Sequence, residues 1–247
     1  MNRLLCIGHR GACGYEPENT LRSFRRALEF GVDGIEFDVQ MAGGQLVVIH
    51  DSRVDRTTNG RGYLRRKSFA QVRILDAGQG EKIPTLQEVC DLVDRRAFLN
   101  IELKGKRTAR PVAKMLADLI ENQGWSPQKF LVSSFHRAEL KEFRALARPD
   151  LPLGLLLNRP TPLWRRVAHL LGATSVHPPS RFVTRHFVDE AHRLGLKVFV
   201  YTVNTPAAIE KMRGLGVDGV FTDFPDRVLT GNVDAKLGNS EASEQAD

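Results

Sequence analysis

The sequence predicts an α/β chain closed into a (β/α)8 barrel, and three observations carry that prediction. Eight short apolar segments, each long enough for a strand, alternate with stretches whose apolar residues recur at helical spacing. The string GVDGI at 31–35 returns as GVDGV at 216–220, each time joining a helix end to a strand start, as reuse of one βα unit would produce. A length of 247 residues, 42% of them hydrophobic, suits one large core, so a single domain is expected over residues 1–230.

Residues 3–8 read as a short buried strand that delivers His9, Arg10 and Gly11 at its carboxyl end. In the PENT string at 17–20, Asn19 or Thr20 can cap a helix whose apolar face is Leu21, Phe24 and Leu28 and which Gly31 terminates. The next strand, GIEFDVQ at 34–40, alternates sharply: Ile35, Phe37 and Val39 face one way, and Glu36, Asp38 and Gln40 face the other. Gly43 and Gly44 suit a hairpin turn, so residues 46–49 should run back antiparallel and return His50 to the neighbourhood of the two carboxylates.

Residues 52–96 break the rhythm. They read as an inserted subdomain ending in a helix, with Thr85 and Glu88 forming a capping box. FLNIELK at 98–104 then repeats the logic of the acidic strand, with Ile101 and Leu103 on one face and Asn100, Glu102 and Lys104 on the other. The remaining strands are expected at 130–134, 153–157, 174–177, 197–203 and 219–222, with helices between them. The polar tail 231–247 is expected to be disordered.

In a parallel barrel the carboxyl ends of the strands share one face, so His9, Arg10, Glu36, Asp38, His50, Glu102 and Lys104 should gather there. Two acids two residues apart on an apolar strand repel unless a cation, a raised pKa or water relieves them. An edge strand with a solvated acidic face is the plain alternative for Glu36 and Asp38, and an internal ion pair is the plain alternative for Glu102 with Lys104. Taken jointly, three carboxylates without cysteine suit a hard cation, Mg²⁺ first and Ca²⁺ or Mn²⁺ next. Two imidazoles beside them can carry protons near neutral pH, and Arg10 with Lys104 offers donors to an anion. That combination suits a phosphate ester, whose hydrolysis accumulates charge on oxygen. His177, Tyr201, Phe135 and Phe221 lie at strand ends and are candidates to line the pocket, whereas His136, His169, His186 and His192 fall in helical or surface patterns.

The formal charge of +7 is compatible with a phosphate-bearing partner. Its basic residues are scattered doublets and one triplet, Arg65-Arg66-Lys67, without interleaved aromatics, so no nucleic-acid partner is expected. Three cysteines without C-x-x-C spacing favour a reducing compartment. The first apolar run, residues 4–7, is too short for a signal peptide or a membrane span, so a cytoplasmic location without stable membrane insertion is expected. No G-x-S-x-G elbow, no G-x-x-x-x-G-K-[ST] loop and no G-x-G-x-x-G after a strand is found.

At these residues the sequence resembles the glycerophosphodiester phosphodiesterases. The resemblance rests on HRG at 9–11, PENT at 17–20, IEFD at 35–38, HD at 50–51, RTTNG at 56–60, IPTL at 83–86, IELK at 101–104, YTVN at 201–204 and TD at 222–223, all in the family's order. It implies a TIM barrel with a small insertion after the second strand and one divalent cation on Glu36, Asp38 and Glu102. It further implies His9 and His50 as an acid–base pair, and hydrolysis of glycerophosphodiesters, the deacylated phospholipids, to sn-glycerol 3-phosphate and an alcohol. Arg10, Lys104 and Tyr201 are then expected to contact the substrate. Where many relatives carry tryptophan this chain has Tyr201, and in this it resembles the short cytosolic bacterial members. Two alternatives are carried beside this reading: a lysophospholipase D, which the loop PLWRR at 162–166 would help by touching lipid, and a non-catalytic phosphate-ligand binding protein on the same scaffold.

Overall fold

The computed structural model describes residues 3–230; the tail expected at 231–247 lies outside the described residues. Its sheet runs β1 (Leu5–His9), β2 (Gly34–Ala42), β4 (Phe98–Leu103), β5 (Phe130–Ser134), β6 (Leu153–Leu156), β7 (Ser175–His177), β8 (Lys197–Val200) and β9 (Gly219–Thr222), all parallel. Pairing of β1 with both β9 and β2 closes the ring into the expected barrel. The ninth strand, β3 (Gln45–Val48), is antiparallel to β2 and continues the edge that β1 leaves at Glu36.

Helices α1 (Leu21–Phe30), α3 (Leu86–Val93), α4 (Ala109–Asn122), α5 (Arg137–Leu146), α6 (Trp164–Leu171), α7 (Arg185–Arg193) and α8 (Pro206–Leu215) cover the outside, and a short α2 (Phe69–Arg73) belongs to the insertion. Outward-facing strand residues such as Ile35, Phe37, Ile101, Val132 and Val220 join the helices in one large core. Of the two candidate caps on α1, Thr20 accepts from the Ser23 amide and Gly31 closes the helix at φ 80°. Asn19 is thereby released for another task, described below. The capping box of Thr85 and Glu88 opens α3 as expected.

The stretch expected as one inserted subdomain, 52–96, divides physically in two. Val54, Leu64, Val72, Ala77 and Ile83 pack with Ala42, Val47 and Ile49 in a small core of their own. Leu86, Val89, Cys90 and Val93 of α3 join the main core instead, so that helix completes a barrel unit. The Trp164 side chain of the PLWRR loop is likewise buried, packed 5.0 Å from the ring of Phe187.

Inside the barrel the character changes with height. On β4 the inward positions rise from Phe98 through Asn100 to Glu102, and on β1 from Leu5 through Ile7 to His9. Ile7, Leu131, Phe199 and Phe221 form an apolar plug at mid-height. His177 belongs to that plug: it is fully buried, with its ring 5.5 Å from Phe199 and 5.2 Å from Phe221, and its Nε2 is 2.9 Å from the Ser175 hydroxyl. Burial pushes its pKa down to about 3, so it stays neutral and apolar in effect. Gly154 makes room for that ring, since a Cβ there would lie 2.5 Å from His177 Cε1. Gly154→Ala should therefore overpack the plug and cost about 1–3 kcal/mol, lowering the urea midpoint; unaltered stability in denaturant titration would show that the plug has slack.

Candidate functional site

At the carboxyl end of the strands a cavity of about 360 Å³ is lined by His9, Arg10, Glu36, His50, Asn100, Glu102, Lys104, Phe135, Leu156, Asn158, Arg181, Tyr201, Thr202 and Phe221. Seven of the eight site residues expected from the sequence line it, and the eighth, Asp38, sits buried beside Glu36 and Glu102. Of the further strand-end candidates, Phe135 and Phe221 reach it and His177 does not.

Strand register builds the acidic cluster. The pairing of β2 with β4 sets Asp38 opposite Glu102, while Glu36 lies one inward position lower, opposite Asn100. Ligand oxygens of Glu36, Asp38 and Glu102 all lie within 4.8 Å of one another, and all three residues are buried. Loss of solvation together with the charge of Asp38 pushes the pKa of both Glu36 and Glu102 upward. Only partial relief comes from the protein. Lys104 Nζ is 3.0 Å from Glu102 and 3.7 Å from Asp38, and Arg10 Nε is 3.4 Å from Asp38. The donor set is all oxygen, compact and short of positive charge, which fits a hard divalent cation.

The turn that carries Arg10 is fixed by backbone contacts. Arg10 has φ 52°, its amide donates to Glu36 Oε2 at 3.0 Å, and its carbonyl accepts from the Asn19 amide and the Ser23 hydroxyl. Gly11 follows at φ 90°, where a Cβ would collide with Ser23. The Asn19 side chain, free of capping, donates to Asp38 Oδ2 at 3.0 Å and locks that carboxylate.

Both cavity histidines are oriented in the same way. His9 Nδ1 lies 2.6 Å from Asp223 Oδ1, and His50 Nδ1 lies 2.6 Å from Asp51 Oδ1. An ionised carboxylate on Nδ1 holds the proton there and leaves Nε2 as the titrating nitrogen. Asp223 and Asp51 suit that duty, each with its pKa pulled down to about 2. For Asp223 the hydrogen bonds from His9 and Asn204 and the charge of His9 overcome the effect of burial; for Asp51 the hydrogen bond from Arg56 dominates. The two imidazoles nevertheless diverge. Burial opposes charge on His9, but Asp223 and Glu36 outweigh it and raise the pKa. At His50 burial wins, aided by Arg10 and Lys104, and the pKa falls.

Other residues hold the frame. Gln40 Nε2 donates to the carbonyls of Ile49, His50 and Asp51, tying the hairpin return to β2. Arg56 bridges Asp51 and Glu18, and Glu18 accepts from Arg10, so one ion-pair chain links the two histidine-bearing loops. Tyr201 donates to the Leu157 carbonyl at 2.7 Å and meets Phe135 edge-on, and Lys104 lies 5.5 Å over the Phe135 ring. The sequence pointed to no site role for Asp51, Asp223, Gln40, Asn158 or Arg181, and offered Asn19 only as a helix cap. The first two carried a signal, since each stands one residue beyond a strand end or a candidate histidine, but nothing local says which imidazole an acid will meet.

The sequence matches the glycerophosphoryl diester phosphodiesterase family over residues 9–227. It is 37% identical over 237 residues to a glycerophosphodiester phosphodiesterase of Caldanaerobacter subterraneus subsp. tengcongensis, covering 92% of this chain and 97% of that one. Among solved structures it is similar to an Oleispira antarctica phosphodiesterase in complex with the product sn-glycerol-3-phosphate, with a TM-score of 0.84, 30% identity, and 95% and 97% of the two chains covered. It is also similar to a glycerophosphodiester phosphodiesterase from Agrobacterium tumefaciens, with a TM-score of 0.79, 27% identity, and 92% and 99% covered. A match over nearly the whole chain, on the strands and loops that build this cavity, means that the chain belongs to the glycerophosphoryl diester phosphodiesterase family.

Proposed function

We propose that this protein hydrolyses glycerophosphodiesters, the deacylated phospholipids, to sn-glycerol 3-phosphate and an alcohol, with one divalent cation held by Glu36, Asp38 and Glu102. The observation that carries the reading is the pair of carboxylate-oriented imidazoles beside a buried three-carboxylate cluster in a single cavity. Mg²⁺ is the first candidate, with Ca²⁺ and Mn²⁺ next. When bound, such a cation supplies positive charge that stabilises charge on phosphate oxygen and acidifies a hydroxyl group near it.

The chain's own residues do the rest. Lys104 and Arg10 flank the cluster and offer donors to the phosphate, and Tyr201 with Phe135 walls the space beyond it. His50, whose pKa is lowered, is the base; His9, whose pKa is raised, is the acid. His50 Nε2 takes the proton of the substrate's glycerol 2-hydroxyl, the alkoxide attacks phosphorus, and His9 gives its proton to the departing alcohol. The resulting cyclic phosphate is opened by water with the two roles exchanged. Burial and the Asp223 carboxylate raise the Cys13 pKa and keep that thiol protonated while no metal is bound to it, and the cyclic route asks for no side-chain nucleophile.

No helix among the described residues is long and apolar enough to cross a membrane. The three cysteines are unpaired, which suits the reducing cytoplasm we assign to it. Trp164 of the PLWRR segment is buried at the start of α6 while Leu163 beside it stays exposed, and we favour the soluble diester over a lysolipid.

The cation, the acid–base pair and the cyclic route can each be tested. Chelation should abolish hydrolysis, and Glu102→Gln should weaken Mg²⁺ binding in titration calorimetry together with the rate; unchanged affinity removes Glu102 from the ligand set. The profile of kcat/KM against pH should be a bell, falling in acid as His50 gains a proton and in alkali as His9 loses one. Because Asp223 raises the His9 pKa, Asp223→Asn should shift the alkaline limb to lower pH, and alanine at either histidine should cost about 10²–10⁴ in rate without loss of metal. A substrate lacking the glycerol 2-hydroxyl should bind yet turn over poorly; brisk hydrolysis of it under Mg²⁺ would replace the cyclic route with direct attack by water.

A further inference from the structure

The contacts around Asp223 involve a residue for which the proposed reaction has no use. Cys13, half-buried in the loop after β1, points its Sγ at Asp223 Oδ1 across 3.0 Å and lies 4.0 Å from His9 Nδ1, while Nδ1 and Oδ1 are 2.6 Å apart. One ligand atom each from thiol, imidazole and carboxylate therefore converges within 4.8 Å. We propose that His9, Cys13 and Asp223 form a second metal site, selective for thiophilic divalent cations such as Zn²⁺, whose occupation silences His9.

The spacing suits such an ion. Tetrahedral zinc with its usual bond lengths puts S and N about 3.5 Å apart, and N and O about 3.3 Å apart, so each observed separation is within about 0.7 Å of what is needed. The surroundings are built for it as well. Asn204 Nδ2 holds the other Asp223 oxygen, Oδ2, at 2.6 Å and would keep holding it as an outer partner of a ligating carboxylate. The Gly14 amide donates to the Asp223 carbonyl at 2.9 Å, which pins the Cys13 loop against the ligand strand end. The His9 and Asp223 side chains are 21% and 24% exposed, so solvent can supply the fourth ligand. Thiolate separates this site from the all-oxygen cluster of Glu36, Asp38 and Glu102, which prefers a hard cation.

Occupation has a definite proton balance. The Cys13 thiol gives its proton to solvent, and the metal takes the Nδ1 lone pair. From the imidazolium the Nδ1 proton also leaves to solvent and Nε2 keeps its own; in a ring already neutral the proton moves from Nδ1 to Nε2, and in either case no Nε2 lone pair remains. A metallated neutral imidazole with Nε2–H neither accepts a proton nor donates one readily near neutral pH, so His9 drops out of acid–base work. The inhibitory half of this inference rests on the function proposed above; the binding half does not.

Cobalt(II) tests the binding half directly. With the full chain in excess Mg²⁺, one equivalent of Co²⁺ should produce a thiolate-to-cobalt charge-transfer band in the near ultraviolet, and Cys13→Ser should abolish it. No band, or a band of equal strength in Cys13→Ser, would overturn the site. Zinc inhibition of hydrolysis in excess Mg²⁺, each protein normalised to its own zinc-free rate, should be at least about tenfold weaker in Cys13→Ser; equal inhibition would place the zinc effect at the carboxylate cluster and refute the silencing of His9.

Discussion

The arrangement depends on an electrostatic debt: three carboxylates buried within reach of one another at the mouth of a barrel. Taking an acid out of water is costly, and placing a second beside it is costlier, unless positive charge or protons intervene. Lys104 and Arg10 are near enough to soften the repulsion, yet Lys104 is shared between Glu102 and Asp38, and Arg10 also serves Glu18. A cluster left short of charge in this way is primed for a cation, and surrounding groups behave accordingly. Asn19 is diverted from helix capping to hold Asp38, and the Arg10 amide, in a left-handed turn, is spent on Glu36.

The same cluster separates the two histidines, although each is tied to an aspartate at the same 2.6 Å. His9 pairs with Glu36 across neighbouring strands and feels its charge, which favours the imidazolium. His50 arrives from the hairpin return, less deeply set, with Arg10 and Lys104 among its neighbours, and burial keeps it neutral. Two similar side chains thus acquire opposite tendencies from their surroundings alone.

The site also relies on what lies beneath it. An apolar plug of Ile7, Leu131, Phe199 and Phe221, with His177 neutral among them, closes the barrel below the polar layer of Asn100 and Ser133. That floor keeps the charged layer at the strand ends, where solvent and substrate can reach it, and fixes the strands whose register sets the carboxylates.

Strand alternation alone placed Glu36, Asp38 and Glu102 on a common inner face, because a side-chain period of two is a local property of extended chain. The hairpin glycines foretold the return of His50 for the same reason: turn geometry is written in adjacent residues. The eight-strand barrel followed from a repeated unit and from length, and the family resemblance covered the same residues. Other features needed the closed ring. Asp223 meets His9 only because β9 pairs with β1 across more than two hundred residues, and the choice between Asn19 and Thr20 as cap turned on where Asp38 ended up. His177, a strand-end histidine like His9, was buried by the depth at which β7 stops, which no local pattern encodes. The convergence of Cys13 on the same carboxylate as His9 is likewise a matter of loop path. Short-range order fixes which face a residue occupies; closure of the barrel decides at what height it sits and which distant partner it meets.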